Sequence, residues 1–396
     1  MTHSYRSAIP VYAAGVLQGA AFVLVPALGR VLEAPPYRLD AAAYGALYFP
    51  EILGAVIGAL LAGRLHRRRG AAAVLRSGLA ANALGMAVLA LASLMRGEAA
   101  TAAILLETAC LGIGFGLTLA SLNPAAAVLF PRAPTAAITT LNGAIGVATA
   151  LAPLGLELAR RAGAWGAMPA ALAVGFVALL LAGNAGAPEG PVPAPGTQPH
   201  RLWRPFIIAV ALYAIAEGSF SSWAQVYLVR IGHADAARGA LALSGFWGAM
   251  TVLRLALGVV PERGAARRRL LLASALAIGA SFLLLAQLHS AATLVAGFAI
   301  AGAACGIYYP YAMAFGLASQ LGDPIGFAGS MVAALMIGEG LGSFAPGELQ
   351  RFASLPALYA GAAALALPLA FYAWRLPRLC AETSRPGNHA GKAGRG

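Results

Sequence analysis

Charge is scarce in this chain, and the scarcity excludes most of what a protein of its length can be. Only 10% of the 396 residues are Asp, Glu, Lys or Arg while 60% are hydrophobic, against roughly 25% charged residues in soluble domains. A soluble globule is excluded. Cysteine is short as well: Cys110, Cys305 and Cys380 make an odd set with no CxxC spacing, which argues against a disulfide framework or a zinc site. The six histidines fall in loops, tails or helix ends, so no histidine relay is expected at mid-membrane. With no cluster of His, Cys and Asp, a membrane enzyme is not expected, nor is a cofactor or a metal. A Walker phosphate-binding sequence is also missing, which argues against ATP as an energy source within the chain.

What the chain has in excess is apolar length. Twelve runs approach the ~20 residues that a helix needs to cross a ~30 Å hydrocarbon core. They cover 9–31, 43–63, 72–95, 100–129, 135–157, 164–185, 205–229, 238–259, 269–289, 292–318, 325–346 and 354–375. None shows the period-2 polarity of barrel strands, so helices are the way these runs satisfy their backbone groups in lipid. The first run is longer than the ~7–15-residue apolar core of a secretory signal and reads as a span.

The net charge of +13 invites a nucleic-acid reading, which the arginine distribution answers. With the N-terminus placed in the cytoplasm, most Lys and Arg fall in inner loops and tails, the positive-inside pattern. Gly63 to Gly70 (GRLHRRRG) and Glu262 to Arg269 (ERGAARRR) are then topology anchors. Neither carries the interleaved aromatics of a nucleic-acid patch, and no nucleic-acid partner is expected.

Asn184 to Pro205, NAGAPEGPVPAPGTQPHRLWRP, is too rich in Pro and Gly to continue a helix and reads as a linker. It separates two groups of six spans. The sequence RGAA at Arg69 recurs at Arg263, Gly112-Ile113 recurs as Gly306-Ile307 at the same spacing, and QGAAF at Gln18 is loosely matched by EGSF at Glu217. A duplicated unit with a site where the halves meet is a known transporter plan. The expected division is an N-terminal six-helix bundle (1–185), a cytoplasmic linker (186–204), a second bundle (205–376) and a disordered cytoplasmic tail (377–396).

The loop after the second span resembles that of the major facilitator superfamily, Gly-x-x-x-Asp-Arg-x-Gly-basic-basic. Gly63, Arg68 and Gly70 fit it; Arg67 stands where the acid belongs, and Ala71 and Ala72 replace the basic pair. In the family this loop is thought to latch the cytoplasmic side through a charge interaction, which the missing acid puts in doubt. Within the superfamily the chain is most similar to the fucose permease branch, through LGIG at Leu111, Asn123-Pro124 followed by Leu129 and Pro131, LNGAIG at Leu141, and Tyr213-x-x-Ala216-Glu217. The departures limit what the resemblance implies. Where the sugar–proton symporter of that branch resembles DILLP, this chain has Phe22 to Pro26 (FVLVP), and Leu119 replaces an acid four residues before Asn-Pro. The resemblance implies an all-α membrane protein of two pseudo-symmetric six-helix bundles and a secondary transporter. It does not imply fucose as the substrate.

Four acids lie inside the spans away from their ends: Glu51, Glu107, Glu217 and Glu339. A carboxyl in the bilayer costs several kcal/mol if ionised and normally faces a cavity or a partner. Glu217 is followed by Ser219, Ser221, Ser222 and Gln225; positions i, i+4 and i+8 share a helix face, which groups Glu217, Ser221 and Gln225. Glu339 lies in a glycine-rich run, Met336 to Gly347. Glu217, Glu339 and Glu107 are the proton-coupling candidates; each could instead be a neutral structural partner. Glu51 follows Pro50, where pairing or water at a helix break is as reasonable as function. Arg254 is the one basic residue well within a span, toward the cytoplasmic end of its helix, and either snorkels, pairs with an acid or meets an anionic substrate.

Gln18, Asn123, Asn142, Ser221, Trp223, Gln225, Trp247 and Tyr309 are the substrate-binding candidates, since amides are expensive to bury unpaired and aromatic faces can stack on a solute. Packing and helix kinks are the alternative uses of these side chains. Trp165, Trp203 and Trp374 are expected as interfacial anchors. The expected partners are a small solute, a proton and the lipid bilayer, around a monomer in a bacterial-type inner membrane with both termini cytoplasmic. Import of a sugar-like metabolite follows the resemblance. Proton-antiport efflux follows the apolar central positions and Gly143 to Gly155, loosely similar to an antiporter motif. A non-transporting receptor or scaffold is the alternative of another class.

Overall fold

The computed structural model describes residues 2–39, 44, 46–182, 200–234, 236–259, 264–319 and 322–383, and no strand occurs among them. The N-terminal half contains α1 (Thr2–Phe22), α2 (Tyr48–Arg69), α3 (Ala71–Ala92), α4 (Gly97–Leu129), α5 (Pro134–Arg161) and α6 (Ala167–Leu181). The C-terminal half contains α7 (His200–Arg230), α8 (Ala236–Gly258), α9 (Gly264–Gln287), α10 (Ala291–Cys305), α11 (Tyr308–Ala318), α12 (Pro324–Leu349), α13 (Leu355–Ala362) and α14 (Ala366–Thr383). Among the described residues, eleven spans are long and apolar enough to cross a membrane, with α10 and α11 together making one and α13 with α14 another; α6, at 15 residues, is a shorter apolar helix. The chain is a multi-pass membrane protein.

Close backbone approach sets the packing inside each half. A Cβ on Gly112 or Gly116 of α4 would run into the Glu51 or Ala55 carbonyl of α2, so these helices touch backbone to backbone. The second half repeats the contact, with Gly302 of α10 against the Phe246 carbonyl of α8. Between the halves, α12 packs on α2 and α4, and α5 packs on α8 and α11. Gly63 of α2 faces the Gly326 backbone, Gly329 meets the Ala59 carbonyl, and Gly143 of α5 faces Leu255. The halves are therefore sealed at the end that carries residues 63–70.

Several expectations change here. The linker expected over 186–204 falls outside the described residues up to 199, and His200 to Arg204 already belong to α7. Trp203 is consequently not an interfacial anchor but a buried residue, 4% exposed, packed edge to face on Phe327 at 5.9 Å. The tail does not begin at 377: α14 runs on through Pro377 to Thr383, because Leu376 is fully buried and the Cys380 thiol donates to the Phe315 carbonyl at 3.0 Å. Residues 384–396 of the expected tail lie outside the described residues. Pro50 makes no break, since it sits in the first turn of α2, where a proline costs no hydrogen bond.

Candidate functional site

A proline builds the floor of the central site. Pro310 has no N–H, so the carbonyl four residues back, Gly306, is left without its helical donor, and the tenth span breaks between Cys305 and Tyr308. Arg254 Nε of α8 donates to that Gly306 carbonyl at 3.2 Å, and the Tyr213 hydroxyl of α7 donates to the Cys305 carbonyl at 3.0 Å. The guanidinium is thereby drawn into the protein, its side chain 11% exposed, and its Nη2 lies 3.9 Å from Glu217 Oε1. Of the readings open for Arg254, pairing is the one realised and snorkelling is not.

Glu217 and Glu339 meet because Gly218 does. A Cβ on Gly218 would fall 2.9 Å from Glu339 Cα, so α7 lies against α12 at the level of the two acids. Their carboxyls come within hydrogen-bonding reach of each other. A carboxylate only accepts, so such a contact holds when one of the pair carries a proton. Beside Arg254 the neutral arrangement is one carboxylate, one carboxylic acid and one guanidinium.

These three side chains line an inner cavity of about 130 Å3 between the halves, with Phe22, Phe115, Leu119, Asn142, Trp247 and Tyr309 among its walls. A wider cavity of about 500 Å3 shares Phe22, Trp247, Met336 and Glu339 with it and extends past Glu51, Ser221 and Ser222 to Tyr48 and Phe344. The second volume falls in the ~300–1,000 Å3 range of small-molecule sites and the first does not. Solute space therefore lies mainly on the side away from the sealed end.

The site candidates divide on this geometry. Glu217, Glu339, Asn142, Trp247, Tyr309 and Ser221 line one or both cavities. Asn142 Nδ2 donates to Asn123 Oδ1 at 3.0 Å and Asn123 Nδ2 donates to the Leu119 carbonyl at 3.2 Å, so Asn123 supports Asn142 from behind. The buried Tyr309 hydroxyl has no protein partner. Gln225 is exposed in a separate surface recess with Arg230, and the Trp223 indole donates to the Ser343 carbonyl at 2.9 Å, joining α7 to α12. Gln18 lies inside the first half, where its Oε1 accepts from Asn82 Nδ2 at 2.5 Å. Glu107 is fully buried between α2, α3 and α4 and lines neither cavity.

The sealed end has its own charge cluster. Asp323 caps α12, accepting from the Gly326 N–H at 2.8 Å, while Arg67 Nη1 donates to its Oδ2 at 2.8 Å and His66 Nδ1 lies 2.7 Å from its Oδ1. Burial alone would raise the Asp323 carboxyl; the hydrogen bonds from His66, the Gly326 N–H and Arg67 outweigh it and hold it below the ordinary aspartate range. The latch doubted from the sequence is present with its charges exchanged: bases on the loop side, the acid on the second half. Arg68, the matching motif residue, is exposed, whereas Gly70 has φ +81, a conformation that suits glycine. Asp323 carries a local signal of its own in the sequence, since Asp-Pro ahead of an apolar run marks a helix start.

A family profile described as Major Facilitator Superfamily matches residues 11–347. The chain belongs to that superfamily. Its fold is similar to that of FucP, the fucose:proton symporter of E. coli, crystallised in the outward conformation (TM-score 0.72, 18% identity, 93% of this chain and 98% of that one). It is also similar to the proton:xylose symporter XylE bound to 6-bromo-6-deoxy-D-glucose (TM-score 0.77, 15% identity, 94% and 96%) and to the human organic anion transporter MFSD10, or TETRAN (TM-score 0.71, 17% identity, 93% and 99%). A search of curated proteins returned no match. Members of the superfamily are transporters, not enzymes, and this chain is a secondary transporter of small solutes.

Proposed function

We propose that this superfamily member carries a small polar solute, sugar-like or of similar size, by alternating access coupled to a proton. The observation that carries the reading is the contact of Glu217 and Glu339 beside Arg254 on the wall of the inner cavity, from which Glu339 also reaches the wider one. A solute reaching Glu339 or Arg254 competes for the same charges as the proton, which is how binding and protonation become linked. Asn142 and the unpartnered Tyr309 hydroxyl offer polar contacts and Trp247 a stacking face. Residues 1–185 and 205–376 would rock as two bundles about this site. Since positive residues favour the cytoplasm, the sealed end is assigned there, with both termini, in a bacterial-type inner membrane; the described state is then outward-facing. The transporter is read as a monomer.

A second reading, proton-antiport efflux, is favoured by the apolar wall of Phe22, Phe115 and Leu119. Proteoliposomes with an imposed pH gradient decide between the two and test both. For symport, an inward proton gradient drives uptake; for antiport, it drives exit. In either case Glu217→Gln and Glu339→Gln lose gradient-driven accumulation while retaining downhill exchange. Transport by both variants with unchanged pH dependence sinks the coupling assignment, and solute binding with no transport at all makes the protein a receptor.

A further inference from the structure

The N-terminal half holds two carboxyls that the central cluster does not use. Glu107 on α4 is fully buried and neither of its carboxyl oxygens has a hydrogen-bond partner. Glu51, in the first turn of α2, is 5% exposed, lines the outer cavity and has an unpartnered Oε1. The Gly112 contact with the Glu51 carbonyl clamps α4 to α2 one turn away, and the two acids act on each other electrostatically. The other titratable groups facing them are Tyr48 on α2, Cys110 on α4 and, on α12 across the outer cavity, Glu339. From α3, Gly85 lies against the Glu107 backbone. No cation among the described residues acts on either carboxyl.

We propose that Glu51 and Glu107 form a second proton site, separate from Glu217 and Glu339 and loaded from the outer cavity. Two carboxylates in these surroundings with no cation beside them are costly to keep charged together, and one proton on the pair removes most of that cost. The positions divide the labour. Glu51 stands at a helix N-terminus, whose dipole favours negative charge, and at the cavity wall, where water reaches it. Glu107 has neither advantage and holds the proton. Loading takes a proton from a cavity hydronium onto the Glu51 carboxylate, releasing water; the two carboxyls are not in hydrogen-bond contact, so an intervening water takes the Glu51 proton and gives one of its own to the Glu107 carboxylate behind. A metal cation fits less well, since no three His, Cys, Asp or Glu groups converge among the described residues.

Infrared difference spectroscopy of the purified full-length protein in lipid, stepped between pH ~5 and pH ~9, reads the protonated-carboxyl stretch directly. The background is the Glu217→Gln/Glu339→Gln double variant, so failure of the central coupling reading leaves this test intact. The expected result is a carboxyl band that titrates in this background and vanishes on adding Glu107→Gln. Glu51→Gln should move its midpoint by ~1 pH unit or more, because the neighbouring charge is gone. If Glu107→Gln does not fold, the Glu51→Gln shift decides alone. A band indifferent to pH, a spectrum unchanged by either substitution, or a band that answers to Na+ at fixed pH overturns the proposal.

Discussion

Arg254 is the one cation on the central cavity wall among the described residues, and a proline on another helix puts it there. Pro310 frees the Gly306 carbonyl, Arg254 Nε takes it up, and the remaining guanidinium nitrogens are left facing Glu217. The side chain thus has two duties, one structural through Nε and one electrostatic through Nη2. Lysine can supply only the second, since it lacks the planar fork. Arg254→Gln is expected to slow proteoliposome transport at least ~10-fold, equivalent to ~1.4 kcal/mol, and Arg254→Lys to recover part of the rate with lower thermal stability. Equal rates for all three proteins would mean that the guanidinium only caps a helix break. Tyr309 is the complementary case. Its hydroxyl is buried without a partner, so Tyr309→Phe should leave thermal stability unchanged or raised while weakening solute binding, as read by ligand-induced shifts of Tm.

At the scale of elements, the latch between α2 and α12 is a charge-exchanged form of the one expected from the loop motif. Its acid, Asp323, is held below its ordinary range in the closed state, so closure is favoured above the pH at which a free aspartate ionises, ~4, and weakens as pH falls through the lowered value. Asp323→Asn keeps the helix cap, since an amide oxygen accepts from the Gly326 N–H as a carboxylate does, and removes only the negative partner of His66 and Arg67, whose contribution is reduced by Arg67 being 39% exposed. The variant should open the sealed end, measured as faster labelling by a membrane-impermeant thiol reagent of a cysteine placed at the fully buried Ala62, and that labelling should lose the acid sensitivity seen in the parent. Labelling unchanged by the substitution would show that glycine packing alone keeps the end shut. The limits of sequence reading show at this latch. Spans, and acids within them, are visible because apolar length and a lone Glu are local signals. Asp323 and His66 meet across more than half the chain, and no local pattern reports that. Trp203 was misplaced for a related reason: α7 starts at His200, inside a stretch whose prolines and glycines read as linker.

Across the whole molecule, the proposed alternating access makes the sealed end and the outer cavity alternatives of one movement, since the glycine contacts that close α2 on α12 would have to part for the cavity to open the other way. Gly63 and Gly326 are the contact to lock. A Cβ built on Gly63 would lie 2.7 Å from Gly326 Cα and one built on Gly326 would lie 2.5 Å from Asp323 Oδ2, so joining cysteines at both positions requires the backbones to ease apart and the Asp323 carboxylate to move aside. In a background without Cys110, Cys305 and Cys380, the Gly63→Cys/Gly326→Cys pair is expected to cross-link under mild oxidation and to stop transport, with activity returning on reduction. Solute binding measured from the cavity side should survive the cross-link, because the bond closes only the end that is already shut. A cross-linked protein that still transports would require the solute to cross without the halves parting there, and the rocking of two bundles about Glu217, Glu339 and Arg254 would have to be given up.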